Sequence, residues 1–416
     1  MRKFVALALI QLGFLAACGG GGYTTPPRPP PPPTQMIATP GPPNVETITV
    51  DAGPPAAAFI AVNTPFISVK VCVPGTTTCQ TIDHIEIDTG SIGLRILADA
   101  PLTVALPVAT DTGGNPMAEC LQFADGTSFG SLAVADIQLP VSGETATGVT
   151  VQIIGDTTYP TIPPDCGPGT TTENTVAAFG AKGILGVGPF IDDCNSTGNC
   201  PIPTPGNPQF ATYYSCPTPS TCADATASVM QQLPNPVILF GIDNNGVIVE
   251  LPAVGAAGAT TVSGSLVFGI GTRTNNALGT ATVLPADPFT GFVTGTYKGT
   301  AYIDSFLDTG SNGNFFTDTS LTQCTTSTGF YCPASTMSES ATLQGTTTTT
   351  LMANFDVANA ETLFSTLSYS AFSNIGGTNP DTKGFDLGLP FFYGHNVFTA
   401  IEGNSISGSM GPFFAY

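Results

Sequence analysis

The chain has little positive charge and no tryptophan. Of its 416 residues, 9 are Lys or Arg, 2 are His and 29 are Asp or Glu, which gives a formal net charge of −20 at pH 7. So negative a protein repels the phosphates of nucleic acids and the surfaces of anionic membranes. We therefore expect no nucleic-acid partner and no electrostatic attachment to a membrane.

Charged residues are also few, at 9% of the chain, whereas glycine (48) and proline (38) are abundant. Together with many Thr, Val and Ile residues, this composition favours short strands and turns over helices. A chain of 416 residues is too long for one compact core. We therefore expect a mostly β protein with two lobes.

Residues 1–18 have the features of a lipoprotein signal peptide. A basic start precedes an apolar run, Phe4 to Leu12, which is too short to cross a bilayer. Residues 15–18, Leu-Ala-Ala-Cys, resemble a bacterial lipobox, which implies lipidation of Cys18. An ordinary secretory signal with a chance cysteine is the alternative. Gly19 stands where an aspartate would favour the inner membrane, so we expect the outer membrane, on its periplasmic or surface face.

A tether follows the signal peptide. Residues 19–43 are rich in glycine and proline, a composition that forms an extended polyproline II segment and no core. We assign residues 44–250 to an N-terminal lobe and residues 251–416 to a C-terminal lobe. The membrane is then reached through the N-terminal lipid only, from the bacterial cell envelope.

The cysteines indicate disulfides. Eleven cysteines less Cys18 leave ten, an even number in an oxidising compartment. Proximity alone suggests the pairs Cys72 with Cys79, Cys120 with Cys166, Cys194 with Cys200, Cys216 with Cys222, and Cys324 with Cys332. A metal site is the competing interpretation, but no Cys-x-x-Cys occurs, and His84 and His395 lie far from any cysteine pair. We expect no metal.

An acidic turn occurs twice. Residues 87–91 are Ile-Asp-Thr-Gly-Ser, and residues 307–311 are Leu-Asp-Thr-Gly-Ser. Each follows an apolar, strand-like run and precedes another, so each places an acid in a tight turn between strands. A carboxylate there is costly unless it is exposed, hydrogen-bonded or functional. The alternative is that each Asp only caps its own turn, but the duplication favours two lobes that bring Asp88 and Asp308 together.

Other segments support a duplicated plan. An apolar element with flanking glycines follows each acidic turn, at residues 183–188 and 385–388. A hairpin is predicted between Leu121 and Leu139, with Phe123 near its tip and Gly126 relieving the turn.

Three further elements are predicted from local pattern. The apolar spacing in residues 223–233 predicts a helix that ends before Pro234. Residues 237–251 predict two strands around an Asp-Asn-Asn-Gly turn. Residues 360–372 form a weaker helix candidate.

At these residues the sequence resembles the pepsin-like aspartic proteases, over most of residues 60–416. Residues 184–186 and 387–388 are similar to that family's hydrophobic-hydrophobic-glycine elements, and residues 123–128 to its flap hairpin. The chain is also similar to an uncharacterised bacterial lipoprotein family of the DUF3443 type. The resemblance implies a bilobal acid protease architecture, with a cleft between two pseudo-twofold-related lobes.

The implied activity is that of an aspartic endopeptidase, a hydrolase without metal or organic cofactor. Two carboxylates about 3 Å apart cannot both ionise, so they share one proton. The ionised member takes a proton from water while the protonated member hydrogen-bonds the developing oxyanion. The family roles carry over to the pair Asp88 and Asp308, to the turn residues Thr89, Gly90, Thr309 and Gly310, to Ser91 and Ser311 beside the outer carboxylate oxygens, and to the flap residues Phe123, Asp125 and Gly126.

Some residues depart from the family pattern. Phe123 stands where the flap tyrosine is expected and has no hydroxyl. Glu86 and Asp386 replace apolar residues near the acids, and a third carboxylate there would disturb the titration of the pair; Arg95 is a candidate partner for either. The alternative function is a catalytically inactive surface lipoprotein that binds peptide or polymer in the cleft. In either case we expect a monomer whose partner is a peptide or protein.

Overall fold

The computed structural model describes residues 35–124, 126–167, 171–194, 198–202 and 211–416. The signal peptide, Cys18, most of the tether and Asp125 lie outside these ranges, so the predictions for them remain predictions. Residues Gln35–Tyr416 form one compact unit. Strands account for 42% of the described residues and helices for 5%, which confirms the mostly β prediction.

The described strands are short and are numbered along the chain. They are β1 (Val45–Val50), β2 (Pro65–Cys72), β3 (Cys79–Asp88), β4 (Ile92–Leu97), β5 (Met117–Gln122), β6 (Thr127–Gln138), β7 (Thr145–Ile154), β8 (Gly183–Val187), β9 (Ala211–Thr218), β10 (Thr221–Asp224), β11 (Gly246–Glu250) and β12 (Val262–Phe268). They continue with β13 (Val283–Pro285), β14 (Val293–Tyr297), β15 (Thr300–Leu307), β16 (Asn314–Phe315), β17 (Met337–Gln344), β18 (Thr350–Val357), β19 (Gly376–Gly377), β20 (Gly384–Leu387), β21 (Asn396–Ala400), β22 (Ser405–Ile406), β23 (Ser409–Met410) and β24 (Phe413–Ala415).

The helices are single turns. They are α1 (Val176–Phe179), α2 (Ala360–Phe364) and α3 (Leu389–Phe392), with 3-10 turns at Val229–Gln231 and Pro236–Leu239. Among the residues described, no helix has the length and apolar character needed to cross a membrane.

Six strands in the first half close into a barrel. Neighbours in the order β6, β7, β4, β8, β3, β2 are hydrogen-bonded, and β6 also pairs with β2. The acidic turn at residues 88–91 joins β3 to β4. Strand β8 lies between these two strands, parallel to β3 and antiparallel to β4. The turn is thus anchored on three adjacent strands, whose apolar side chains are buried in the core.

The second half repeats this arrangement around its own acidic turn. The turn at residues 308–311 joins β15 to β16, and β20 lies between them, parallel to β15 and antiparallel to β16. These strands belong to a seven-stranded sheet in the order β18, β17, β14, β15, β20, β16, β19. Both glycine-flanked elements of the sequence are therefore the inserted strands, β8 and β20.

A shared sheet joins the start of the chain to its second half. Strand β1 pairs antiparallel with β12 along its whole length, from Val45 opposite Val267 to Val50 opposite Val262. Strands β11, β21, β24 and β13 continue the same sheet. Because strands from both sides of residue 250 are neighbours here, the lobe boundary remains a prediction.

All five predicted disulfides are confirmed. They join Cys72 to Cys79, Cys120 to Cys166, Cys194 to Cys200, Cys216 to Cys222, and Cys324 to Cys332. Four of them close short loops, and the bond from Cys120 to Cys166 ties β5 to the long loop after β7.

The helix predicted at residues 223–233 is wrong. Strand β10 ends within this segment, and one 3-10 turn, Val229–Gln231, is the only helical part of it. Met230 is 88% exposed and Val229 is also exposed, whereas Leu233 is buried, so the three apolar residues do not form one buried face. A short helix without a buried face gains too little to offset the cost of its first turn.

The hairpin predicted at residues 237–251 is also wrong. A 3-10 turn occupies Pro236–Leu239, and the partners of β11 are the distant strands β12 and β21. Asp243, in the predicted turn, is buried and binds Arg273 from another loop, with Nε 2.5 Å from Oδ2. The weaker helix candidate is confirmed only in its first turn, α2, which Asn359 caps by accepting from the Thr362 N–H.

A buried arginine holds β4 behind the first acidic turn. Arg95 is fully buried, and its Nη2 lies 2.7 Å from Glu119 Oε1 and 2.8 Å from Asp193 Oδ2. Its Nη1 donates to the Ile92 carbonyl at 2.5 Å. Burial, followed by the charge of Glu119, raises the pKa of Asp193 well above its usual value. The predicted pairing of Arg95 with Glu86 or Asp386 is wrong, since its partners lie on β5 and in the loop after β8.

We predict that Arg95→Met lowers the free energy of unfolding by about 3–5 kcal/mol, because it leaves two buried carboxyl groups without their cation. Urea unfolding followed by circular dichroism measures the loss. Lys182→Met is the control: it removes a cation from the exposed ion pair with Asp83, a pair worth about 0–1 kcal/mol. Equal losses in the two variants would contradict the structural role of Arg95.

Candidate active site

The two acidic turns lie against each other and are joined by their threonines. The Thr89 N–H donates to Thr309 Oγ1 at 3.1 Å, and the Thr309 N–H donates to Thr89 Oγ1 at 3.0 Å. Each hydroxyl in turn donates across the junction: Thr309 Oγ1 to the Ile87 carbonyl at 2.7 Å and Thr89 Oγ1 to the Leu307 carbonyl at 3.4 Å. Both side chains are buried, so water does not compete for these four bonds.

Each aspartate faces the glycine of the opposite turn. A β-carbon on Gly90 would lie 2.7 Å from Asp308 Oδ1, and one on Gly310 would lie 2.7 Å from Asp88 Oδ1. Real β-carbons do not approach an oxygen so closely, so glycine is required at both positions. The glycines also donate to their own acids, Gly90 N–H to Asp88 Oδ1 at 2.7 Å and Gly310 N–H to Asp308 Oδ1 at 2.8 Å.

The two carboxyl groups are close enough to interact strongly. Asp88 is 5% exposed and Asp308 is 9% exposed. Burial, then the charges of Asp88 and Asp386, raises the pKa of Asp308 well above its usual value, against a smaller opposing effect of the Gly310 N–H. The direction of this shift favours a proton on Asp308, as expected for two neighbouring carboxyl groups that cannot both ionise.

The two serines of the turns differ. Ser311 Oγ donates to Asp308 Oδ2 at 2.9 Å, as predicted. Ser91 Oγ is buried and makes no hydrogen bond within the described part of the chain, so its predicted bond to Asp88 is not formed. The equivalent strand pairing around the two turns does not extend to this pair of side chains.

A third carboxyl group, that of Asp386, lies beside the pair. It is 4% exposed on β20, the strand inserted behind the second turn. Burial above all raises its pKa to about 8, with the charge of Asp88 adding to the effect and Ser311 opposing it. Glu86, the other departure found in the sequence, is half-buried on β3. The alternation of residues along a strand did not show that Asp386 is more buried than Glu86, because it does not show which residues pack against each face of the sheet.

The predicted flap hairpin is formed by β5 and β6. The strands pair from Ala118 opposite Ser131 to Gln122 opposite Thr127, and the Phe123 N–H donates to the Gly126 carbonyl at 2.8 Å across the tip. The Phe123 ring packs edge-on against Phe179 of α1, with centroids 5.7 Å apart. The hairpin is thus present, while its role over a substrate remains a prediction.

One metal-like cluster occurs among the described residues, formed by Cys324, Cys332 and Glu361. The two cysteines are bonded to each other, so neither offers a thiolate. Glu361 accepts hydrogen bonds from the N–H groups of Thr326 and Ser327. The cluster is therefore better explained as a stapled loop than as a metal centre.

His84 belongs to a different surface. Its Nε2 lies 3.5 Å from Asp51 Oδ1 and its Nδ1 3.0 Å from Asp83 Oδ2, and the hydrogen bond to Asp51, the larger influence, raises its pKa. A pocket of about 300 Å³ adjoins these three residues and includes none from the acidic turns. His84 is satisfied locally, and we do not assign it a role at the acidic turns.

We predict that Thr309→Val lowers the free energy of unfolding by about 1–3 kcal/mol, because it leaves the buried Thr89 N–H without its acceptor and the Ile87 carbonyl without a donor. Thr309→Ser keeps the hydroxyl and loses one methyl group, at about 1 kcal/mol or less. Denaturant unfolding compares the two. A valine variant as stable as the wild type would contradict the importance of the threonine bonds.

The site lies within the span of the chain that a family model matches. No curated protein matches the chain. A family model described as "Protein of unknown function (DUF3443)" matches residues 40–416, a span that includes both acidic turns, the flap hairpin and Asp386. Because the match covers most of the chain, the protein belongs to the DUF3443 family.

Proposed function

We propose that this protein is an aspartic endopeptidase of pepsin-like, bilobal architecture, which hydrolyses peptide bonds with a water molecule activated between Asp88 and Asp308. The main support for this proposal is the pair of reciprocal hydrogen bonds between Thr89 and Thr309, which hold each acid against the glycine of the opposite turn. The repeated arrangement of an inserted strand behind each turn also supports the proposal.

In this mechanism the two carboxyl groups share one proton. The raised pKa of Asp308 favours the proton on that residue, so Asp308 hydrogen-bonds the carbonyl oxygen of the scissile peptide. Asp88 accepts a proton from the attacking water. The tetrahedral intermediate then collapses: Asp88 returns its proton to the leaving nitrogen, and the bond between the carbonyl carbon and that nitrogen breaks. The Gly90 and Gly310 N–H groups fix the inner oxygens of both acids during these steps.

In this proposal the flap hairpin covers the bound peptide. Phe123 offers an apolar ring there and no hydroxyl, so it can pack on the substrate but cannot donate to it. We therefore expect the hairpin to contribute to substrate binding more than to the chemical step.

Attachment to the cell envelope through Cys18 is part of the proposal. The last part of the predicted tether is held against the folded part: Gln35 Nε2 donates to the Leu251 and His395 carbonyls at 2.9 and 2.8 Å. The Ser265 hydroxyl donates to the Ala38 carbonyl at 2.6 Å. A lipid-anchored enzyme of this kind would act on peptides or proteins in the periplasm or at the cell surface.

One observation favours the competing function, peptide or polymer binding without cleavage. Asp88 and Asp308 are 5% and 9% exposed, so little of either acid is open to solvent. Substrate access would then depend on movement of the covering segments. The experiment below separates the two functions.

We predict that residues 19–416 cleave an unfolded protein such as reduced casein between pH 3 and 7, and that pepstatin inhibits the reaction. Asp88→Asn and Asp308→Asn each lower kcat by about 10²–10⁴-fold, because each removes a group that exchanges a proton in the transition state. Asp304→Asn, on β15 outside the site, is the control and retains full activity. Electrophoresis and mass spectrometry of the products measure cleavage.

Peptide binding by all four proteins with cleavage by none would reject the endopeptidase and favour the binding function. Equal cleavage by wild type and both site variants would assign the activity to another site or to a contaminant.

A further inference from the structure

We propose that the flap hairpin of β5 and β6 is a fixed wall of the substrate site and does not open as a mobile flap. Arg95 and the disulfide between Cys120 and Cys166 hold it in place behind the first acidic turn. The consequence for substrate binding rests on the proposed function. The rigidity of the hairpin does not, and the first two tests below measure it without a substrate.

The outer edge of the hairpin is paired with another strand. β5 pairs antiparallel with β9 over five residues, from Met117 opposite Ser215 to Leu121 opposite Ala211. An isolated two-stranded hairpin is only marginally stable in water and moves easily, whereas a strand with a neighbour on each side is held by two sets of backbone hydrogen bonds. β5 is such a strand, because β6 lies on its other side.

The other edge of the hairpin is bonded to the loop after β7. The Thr127 N–H donates to the Thr171 carbonyl at 2.8 Å, and the Thr127 carbonyl accepts from the Glu173 N–H at 2.9 Å. The Phe129 N–H donates to Asn174 Oδ1 at 2.9 Å. These bonds lie at the start of β6, close to the tip, so lifting the hairpin would break hydrogen bonds along both of its edges.

Both faces of the hairpin are packed as well. The side chains on one face form a buried cluster with the loop after β7, and those on the other face form a second buried cluster with β9 and the segment before Pro234. The first cluster includes Ala118, Cys120, Phe129, Tyr159 and Cys166, and the second includes Met117, Leu121, Leu132, Tyr213 and Leu233. The hairpin is therefore part of the core up to the residues next to its tip.

Arg95 joins the hairpin to the first acidic turn. Its Nη1 donates at 2.5 Å to the carbonyl of Ile92, the residue that follows the turn, and its Nη2 donates at 2.7 Å to Glu119 Oε1 on β5. The Glu119 carbonyl also accepts from Gln152 Nε2 at 2.7 Å. The side chains of Arg95 and Glu119 are fully buried, so moving β5 away from the turn would leave a buried charge without its partner.

The same arginine also holds β9. Arg95 Nη2 lies 2.8 Å from Asp193 Oδ2, and the hydroxyl of Tyr213 on β9 donates to Asp193 Oδ1 at 2.6 Å. That hydroxyl accepts in turn from the Leu233 N–H at 2.9 Å. β9 is thus bonded to the interior behind the turn, and it cannot swing outward together with the hairpin without breaking these bonds.

The disulfide between Cys120 and Cys166 secures the opposite face. Its cysteines are 46 residues apart in the chain and are 1% and 7% exposed. The other four disulfides join cysteines 6 to 8 residues apart and so close only their own loops. Only this bond ties the hairpin to a distant segment, and we assign it the role of fixing the hairpin.

A fixed wall changes what the site selects. A mobile flap opens to admit bulky substrates, and its movement often limits turnover. A wall that is already ordered loses little conformational entropy when a peptide binds. Phe123 then meets the peptide in the position set by its packing on Phe179, with ring centroids 5.7 Å apart. We therefore expect the site to accept a single extended strand of an unfolded chain and to exclude folded loops.

The first test is native-state hydrogen exchange of the wild-type protein, measured by mass spectrometry. For a fixed wall, the amides of residues 118–121 and 127–130 exchange within about tenfold of those of β3 and β8, the strands beside the first acidic turn. A mobile flap would exchange its amides at least about a hundredfold faster than these strands. That result would overturn the proposal, whatever the protein cleaves.

The second test removes the disulfide in Cys120→Ala with Cys166→Ala. Exchange at residues 118–121 rises about tenfold relative to β3 and β8 of the same variant, because the hairpin opens locally more often. This ratio separates loosening of the hairpin from a loss of global stability. Cys324→Ala with Cys332→Ala removes a disulfide from the second half, is the control, and keeps the wild-type ratio. Equal acceleration of all strands would overturn the role of Cys120 and Cys166.

Asn174→Ala tests the other edge and leaves every disulfide intact, so the result does not depend on how well the cysteine variant folds. It removes the acceptor of the Phe129 N–H. Exchange at residues 127–130 rises by about threefold to tenfold, again relative to β3 and β8. Wild-type exchange at these residues would show that the bonds to the loop do not hold the hairpin and would overturn that part of the proposal.

The third test uses the cleavage of a short linear peptide. Loosening the wall in Cys120→Ala with Cys166→Ala raises KM by about five- to tenfold and leaves kcat within about twofold, because the hairpin positions the peptide and exchanges no proton. A gating flap predicts the reverse, a higher kcat with KM little changed, since opening becomes easier. That reverse pattern would overturn the proposal.

A wild-type protein that cleaves nothing would reject the endopeptidase function. The exchange measurements would still decide whether the hairpin is fixed, so the two failures are distinguishable.

Discussion

The reciprocal bonds between Thr89 and Thr309 are the constraint on which the site depends. Each threonine N–H and hydroxyl is satisfied by the opposite turn, so neither turn can complete its hydrogen bonds alone. Separating the two turns would leave four buried polar groups without partners, at about 1–3 kcal/mol each. The same contact brings two carboxyl groups together that would otherwise repel, and only glycine at Gly90 and Gly310 leaves room for them.

The scarcity of positive charge is a second constraint, because it limits how buried acids can be stabilised. With 9 Lys and Arg residues against 29 Asp and Glu, most buried acids cannot be neutralised by a cation and must keep a proton or accept backbone hydrogen bonds. Two arginines are exceptions: Arg95 binds Glu119 and Asp193 behind the first turn, and Arg273 binds the buried Asp243. At the site itself Asp308 and Asp386 are both held towards the neutral form. A protein built in this way gains stability from acidification over the range in which such groups release protons when unfolded.

Predictions from local sequence patterns were correct where the structure depends on nearby residues and wrong where contacts with distant segments decide it. Four of the disulfides, the flap hairpin and the glycine-flanked apolar elements at residues 183–188 and 385–388 were predicted from short spacings. That these two elements are strands inserted beside the acidic turns was not predicted. Residues 223–233 have helical spacing, but Val229 and Met230 face solvent while Leu233 is buried, so the segment has no continuous apolar face that could stabilise a helix. Asp243 forms an ion pair with Arg273 from another loop, and its segment does not close a hairpin. Glu86 and Asp386 were indistinguishable in sequence, because a strand pattern identifies a face but not what is packed against it.

The sequence alone determined the mostly β class and the two acidic turns, since these follow from composition and from a motif of a few residues. It also indicated four cysteine pairs with separations of 6 to 8 residues, which left Cys120 for Cys166. The duplication of the turns also predicted that Asp88 and Asp308 would meet. Only the tertiary structure decided how they meet. The threonine bonds, the unbonded Ser91 and the third carboxyl group of Asp386 all arise between segments more than 60 residues apart in the chain or across a sheet, where hydrogen bonding and desolvation depend on distances that no linear pattern encodes.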